Sequence, residues 1–342
     1  MAIDSSLTTR SLLKNLGIQE VLDYEGITEV AINQGEEIWF DRGNGWEFKK
    51  APECTFHNLN SLAKSLTVYS GLKTAFDDRN PIASVILPDG ERGQIITAPA
   101  TEYNTISFTM RKPSLTRFTV DDYQKSGRFD RIQEAEAYKK GSIPLYMQEM
   151  RKCQKEGCYA DFFKLAAANN MNVIAVGGTG SGKTTFAKAY ADLIPHDHRI
   201  ITIEDVHEVT LPYHKNHLHL FFDPDYQKSG GISPKELIKS AMRMKPDHIL
   251  LTELRGDETW NYFEALNTGH NGSITSTHAN DVSSTLARLT ALVVQSEMGK
   301  VLSEAFISKT IASALDVTCF FKHTYMTEIL FEPEKKLELI YG

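Results

Sequence analysis

Between Gly177 and Thr184 the chain reads Gly-Gly-Thr-Gly-Ser-Gly-Lys-Thr. The β-rich run Met171 to Val176 precedes this segment, and Lys183 to Ile194 follows with helical spacing, so it turns a strand into a helix. A G-x-x-x-x-G-K-[ST] pattern in that setting narrows the fold to a phosphate-binding α/β domain. The glycines let backbone N–H groups converge on phosphate oxygens, and the helix N-terminus adds partial positive charge. Lys183 reaches the β- and γ-phosphates, and the Thr184 hydroxyl ligates Mg²⁺. The expected cofactors are therefore ATP and Mg²⁺, held by Gly177, Gly178, Thr179, Gly180, Ser181, Gly182, Lys183, Thr184 and Thr185.

The rest of the second half agrees. Ile200 to Ile203, His248 to Leu251 and Ser273 to Thr277 are short apolar or β-rich runs, with a helix such as Pro234 to Met244 between them. Strands alternating with helices imply a largely parallel sheet. Residues 1–113 read differently, as a smaller α+β domain. A β-meander runs through Ile27 to Asn33, Ile38 to Arg42 and Trp46 to Lys49, and Leu59, Leu62, Ala63, Leu66 and Tyr69 mark a helix. Three further strands follow, Ile82 to Leu87, Gly93 to Thr97 and Thr105 to Met110. Residues 114–159 have weak apolar periodicity and many basic residues, and read as a linker with one or two short helices before the P-loop domain, 160–342.

A length of 342 residues suits two domains, and 41% apolar content excludes a disordered chain. The net charge of −7 provides no overall field for nucleic acid or anionic lipid. The start, MAIDSSLTTR, lacks a basic-then-apolar leader and no run is long enough to span a bilayer, so a cytoplasmic location is expected. Cys54, Cys153, Cys158 and Cys319 are too scattered for a disulfide scaffold or a zinc site. Alternation places two of His214, His217 and His219 on one strand face, but without an evident fourth ligand they are read as ordinary histidines.

ATP hydrolysis needs carboxylates at strand ends facing the phosphate loop, one for water and one for the metal. Glu204 and Asp205 end one predicted strand, and Glu253 ends another. With the P-loop, Ile203-Glu204-Asp205-Val206-His207-Glu208, Thr252-Glu253-Leu254-Arg255, and Gly269-His270-Asn271-Gly272 through Thr277-His278-Ala279-Asn280 stand in order. Together they resemble the P-loop, Asp box, Walker B and His box of the bacterial type II and type IV secretion ATPase superfamily. Ser107 to Ser114 is similar to the segment closing the N-terminal domain in the type IV secretion branch, typified by the eleventh VirB subunit. Thr252 stands where that family commonly has glycine.

The resemblance implies a RecA-like C-terminal domain, a separate N-terminal domain and a homohexameric ring, with ATP between the domains. Glu204 would polarise the attacking water, and Glu253 would hold Mg²⁺ through its water shell. His270 and His278 would sense the γ-phosphate. Arg92, Arg111, Arg243 and Arg255 are candidates for a phosphate-contacting arginine, with Arg111 favoured because the family places one at the domain junction. Implied partners are other type IV secretion ATPases and inner-membrane channel subunits, with peripheral contact at the inner membrane. Alternatives are a pilus or type II secretion motor, a nucleic-acid translocase, and a ring that binds ATP without turning it over.

Overall fold

The computed structural model describes residues 6–113, 117–132 and 139–341; part of the predicted linker, and Ser114, lie outside them. In the first half, β1 (Glu29–Ile32), β2 (Glu37–Asp41), β3 (Trp46–Lys50), β4 (Ile82–Ile86), β5 (Arg92–Thr97) and β6 (Ile106–Arg111) form an antiparallel sheet in the order β3-β2-β1-β6-β5-β4. Side chains alternate across a sheet. Val30 and Ile32, with Ile106, Phe108 and Met110, therefore enter a core shared with the helix Phe56–Tyr69. That helix starts where the Thr55 hydroxyl accepts the Asn58 amide, and its Leu59, Leu62, Ala63 and Leu66 are buried. Two helices that the sequence pattern does not announce, Ser6–Asn15 and Ile18–Leu22, add Leu13, Ile18, Val21 and Leu22 to the same core.

The second half holds β7 (Val173–Gly177), β8 (Ile200–Glu204), β9 (His217–Phe221), β10 (His248–Leu251), β11 (Ile274–Thr277), β12 (Val317–Lys322) and β13 (Tyr325–Leu330). Parallel pairing gives β10-β8-β9 and β11-β7-β12, with β13 antiparallel on β12. The Leu254 amide donates to the Ser276 carbonyl and the Ser276 hydroxyl to the Thr252 carbonyl, so β10 and β11 lie side by side and the two sheets join. β7, β8, β10 and β11 are buried at every position, as expected of strands covered on both faces. The stretch read as a linker contains the helices Val120–Lys125 and Leu145–Glu156; Met147 and Met150 of the second pack with Phe162 and Phe163 in the core around β7.

The other face of the N-terminal sheet, with Glu29, Ala31, Ser107 and Thr109, meets the second half where β8, β9 and β10 begin. Fully buried Arg199 donates to Thr109 and Asn216 and lies over the Trp46 ring, while Lys245 pairs with Asp41. The loop after β5 also pairs with the outer edge of β9. There the Phe221 amide donates to the Ala100 carbonyl and the Thr101 hydroxyl to the His219 carbonyl.

Candidate active site

Parallel strands deliver their C-terminal ends to one edge of a sheet, where the P-loop, the Asp box and the Walker B region begin and the His box ends. β7 ends at Gly177, whose φ of +147° and close approach to β12 exclude a side chain. The chain then turns through Gly178 to Gly182 into the helix Lys183–Ala191. Lys183 Nζ donates to the carbonyls of Gly177 (3.0 Å) and Gly178 (2.9 Å), so the ammonium rests on the loop it would leave for phosphate. Burial lowers its pKa, with Glu253 opposing the shift. The Ser181 hydroxyl is buried without a partner among the described residues.

His278, just beyond β11, joins this loop to the carboxylate beyond β10. Its Nδ1 lies 3.0 Å from the Gly177 carbonyl oxygen and its Nε2 3.0 Å from Glu253 Oε1. Arg255 holds the other oxygen: Nη2 donates to Glu253 Oε2 at 2.8 Å, while Nη1 donates to Asp205 Oδ2 at 2.9 Å. The hydrogen bond to Glu253 raises the arginine's pKa further, so the clamp is permanently charged. Thr252 lies outside the left-handed region, so a residue larger than glycine sits before Glu253 without backbone strain. Thr184 shares a small recess with Thr252 and Thr275, and Thr185 is exposed on the helix.

Glu204 ends β8 with no exposed surface. Its Oε1 accepts from the Thr202 hydroxyl (2.5 Å) and lies 3.1 Å from His219 Nδ1. Oε2 accepts the amides of Glu208 (2.9 Å) and Val209 (2.8 Å). Burial alone would raise its pKa, but bonds from His219, Thr202 and the two amides outweigh it and hold the carboxyl below the usual range. Both oxygens are thus engaged within the chain.

Gly177 to Ser181 line an open cleft of about 1000 Å³ with His278, Asn280, Arg288 and the β12–β13 hairpin residues Lys322 and His323. Arg288 is the arginine in this lining, and sequence reasoning misses it: one arginine on the amphipathic helix Thr285–Val294 carries no motif. Of the candidate arginines Arg255 is in the site, and the favoured Arg111 lies elsewhere with Arg92 and Arg243. Arg111 is exposed and 3.7 Å from Glu29, Arg92 is its cross-strand neighbour, and Arg243 donates to Ser84 at 2.9 Å. The N-terminal sheet docks where β8 to β10 begin, opposite the strand ends that carry the P-loop, so these three do not reach their own chain's cleft. His270 is also displaced, lying with His198 and His248 near the start of β10 and β11. A four-residue strand separates it from the loop edge by about 13 Å.

A phosphate-cradling turn on a parallel sheet, with a lysine, a histidine and a carboxylate converging on it, defines a P-loop nucleotide hydrolase with a RecA-like core and a smaller α+β domain ahead of it. The family model described as "Type II/IV secretion system protein" matches residues 142–329. The chain is 36% identical to the type IV secretion system protein VirB11 of Brucella abortus over 93% of this chain and 89% of that one. It is 34% identical to VirB11 of Bartonella henselae, over 95% and 94%. The crystal structure of the VirB11 ATPase of the Brucella suis type IV secretion system, in complex with sulphate, superposes with a TM-score of 0.91 at 35% identity, covering 100% of this chain and 99% of that one. The chain belongs to the type II/IV secretion family, in its VirB11-type branch, and is a P-loop secretion ATPase.

Proposed function

We propose that the protein works as a homohexameric ATPase that powers type IV secretion, in pilus biogenesis, substrate transfer or both, from the cytoplasmic face of the inner membrane. The observation that carries this reading is the convergence of Lys183, His278 and Glu253 on one P-loop in a chain whose relatives bear type IV secretion names. Among the described residues no helix is long and apolar enough to cross a membrane, so inner-membrane contact would be peripheral.

The residues present fit ATP and Mg²⁺. Among the described residues Ser181 Oγ is buried without a hydrogen-bond partner, and Lys183 Nζ is satisfied by carbonyls of its own loop. Thr184 and Glu253, the latter through water, would hold Mg²⁺, which when bound neutralises charge on the β- and γ-phosphates. Lys183 would exchange two carbonyls for phosphate oxygens. His278 links the phosphate loop to Glu253, so movement of the loop is felt at that carboxylate. For Glu204 to orient the attacking water, its oxygens must first be freed from Thr202 and from the Glu208 and Val209 amides. Nucleotide binding would therefore have to open the 205–209 turn. Arg111, remote from its own P-loop, would contact phosphate on a neighbouring copy or after the domains rotate.

The test is Mg²⁺-dependent phosphate release by the purified chain. Lys183→Ala should lose essentially all turnover. Glu204→Gln should keep nucleotide affinity and lose about 100-fold or more in rate. A Lys183→Ala protein hydrolysing ATP at the wild-type rate would remove the P-loop from the mechanism.

A further inference from the structure

Alternation along β9 gives its histidines no metal partner of their own, yet folding places one of them in a different cluster. His219 Nδ1 is 3.1 Å from Glu204 Oε1, and the His207 ring stands 4.4 Å from the His219 ring, centroid to centroid. One donor atom from each of Glu204, His207 and His219 lies within 4.8 Å of the others. A fourth donor comes from the N-terminal half: Glu102 Oε1 is 3.7 Å from His207 Nδ1. The Thr101 contact with β9 fixes the loop that carries it.

We propose that Glu204, His207, His219 and Glu102 form a binding site for a transition-metal ion of the Zn²⁺ class, joining the N-terminal domain to the Asp-box turn. Two imidazoles and two carboxylates suit such an ion, whereas Mg²⁺ and Ca²⁺ prefer oxygen donors throughout. A tetrahedral ion with bonds of about 2.0–2.2 Å holds its donors roughly 3.4 Å apart. The Glu204–His219 pair is already near that separation, and half-exposed His207 and Glu102 can close by side-chain rotation. Glu204 is oriented for the task, because the Glu208 and Val209 amides fix Oε2 and leave Oε1 toward the histidines. Metal ligands commonly have such outer hydrogen bonds. Binding would displace the Thr202 hydroxyl from Oε1, and His219 would carry its proton on Nε2.

Occupation would hold the 205–209 turn shut and withhold Glu204 from water, making the ion an inhibitor of turnover. That effect rests on the reading of Glu204 proposed above; the site itself does not. The experiment titrates the full-length chain, without a histidine tag, with Co²⁺, following the visible band of four-coordinate cobalt and its displacement by Zn²⁺. His207→Ala should weaken Co²⁺ binding on the order of 100-fold, and Glu102→Gln roughly tenfold. In ATPase assays at saturating Mg²⁺-ATP, one equivalent of Zn²⁺ should suppress wild-type turnover and spare His207→Ala. No four-coordinate band in the wild type, or an undiminished band in His207→Ala, overturns the site. A His207-dependent band without inhibition supports the site and counts instead against Glu204 as the water-orienting carboxylate.

Discussion

Glu29 begins β1 opposite both Asp41 and Arg111, on the sheet face that meets the ATPase half. Burial pushes its carboxyl up to about 7 despite the opposing charges of Lys245, Arg111 and Arg199. Because the folded value lies above the ordinary 4.5, the native state keeps the proton longer than the unfolded chain does, and stability falls as pH rises through that interval. The whole effect is about 3 kcal/mol. Glu29→Gln mimics the protonated form, so it should match the wild type near pH 4.5 and be more stable at about pH 8. Thermal unfolding at both pH values checks this; a stability difference independent of pH would mean Glu29 is not the titrating group. This variant also removes the ion pair with exposed Arg111, which matters little at a solvent-facing guanidinium. Nothing local to β1 signals this behaviour, since it reads as an ordinary alternating strand and its burial comes from the distant ATPase half, where Arg199 and Lys245 face it.

Elements were legible where residue type alone dictates backbone. The P-loop stood out because only glycine serves at Gly177, where an added Cβ would stand 2.3 Å from the Phe321 carbonyl oxygen with φ at +147°. Gly177→Ala should therefore part β7 from β12, cost at least 1–3 kcal/mol from backbone strain, and weaken nucleotide binding. Calorimetric unfolding together with nucleotide titration tests it, and unchanged values in both would refute the close approach. The β12–β13 hairpin was not legible, although His323 and Thr324 at its tip lie beside the P-loop cleft and Gly182. Its turn uses two non-glycine residues at positive φ, so the chain offers none of the usual glycine or asparagine punctuation. Ile18–Leu22 escapes for another reason: five residues after a glycine are too few to establish a helical period.

At the scale of the whole molecule, the order of motifs placed Lys183, Glu253 and His278 together, and no local pattern could show where the N-terminal sheet docks. That docking keeps Arg92 and Arg111 away from the chain's own cleft, and Arg243, just before β10, lies at the docking edge, where it reaches Ser84. If Arg111 acts on phosphate, a second copy can supply it, and subunit mixing is the direct assay. Lys183→Ala and Arg111→Ala proteins, each inactive alone, should regain part of the wild-type turnover when combined, because mixed rings pair an intact P-loop with a neighbour's intact arginine. No recovery in mixtures that light scattering shows to be hexameric would remove Arg111 from intersubunit catalysis.

The loop from Ala98 to Thr105 has a further consequence for how the chain can be cut. Its backbone caps the outer edge of β9, whose neighbour on the other side is β8. A fragment beginning near residue 142 would keep every P-loop motif yet leave the outer edge of β9 unpaired, the Phe221 N–H and the His219 C=O included. Bare edges of this kind recruit strands from other molecules. The N-terminal domain therefore also acts as an edge guard, and the isolated ATPase domain should precipitate at concentrations where the intact chain stays dispersed.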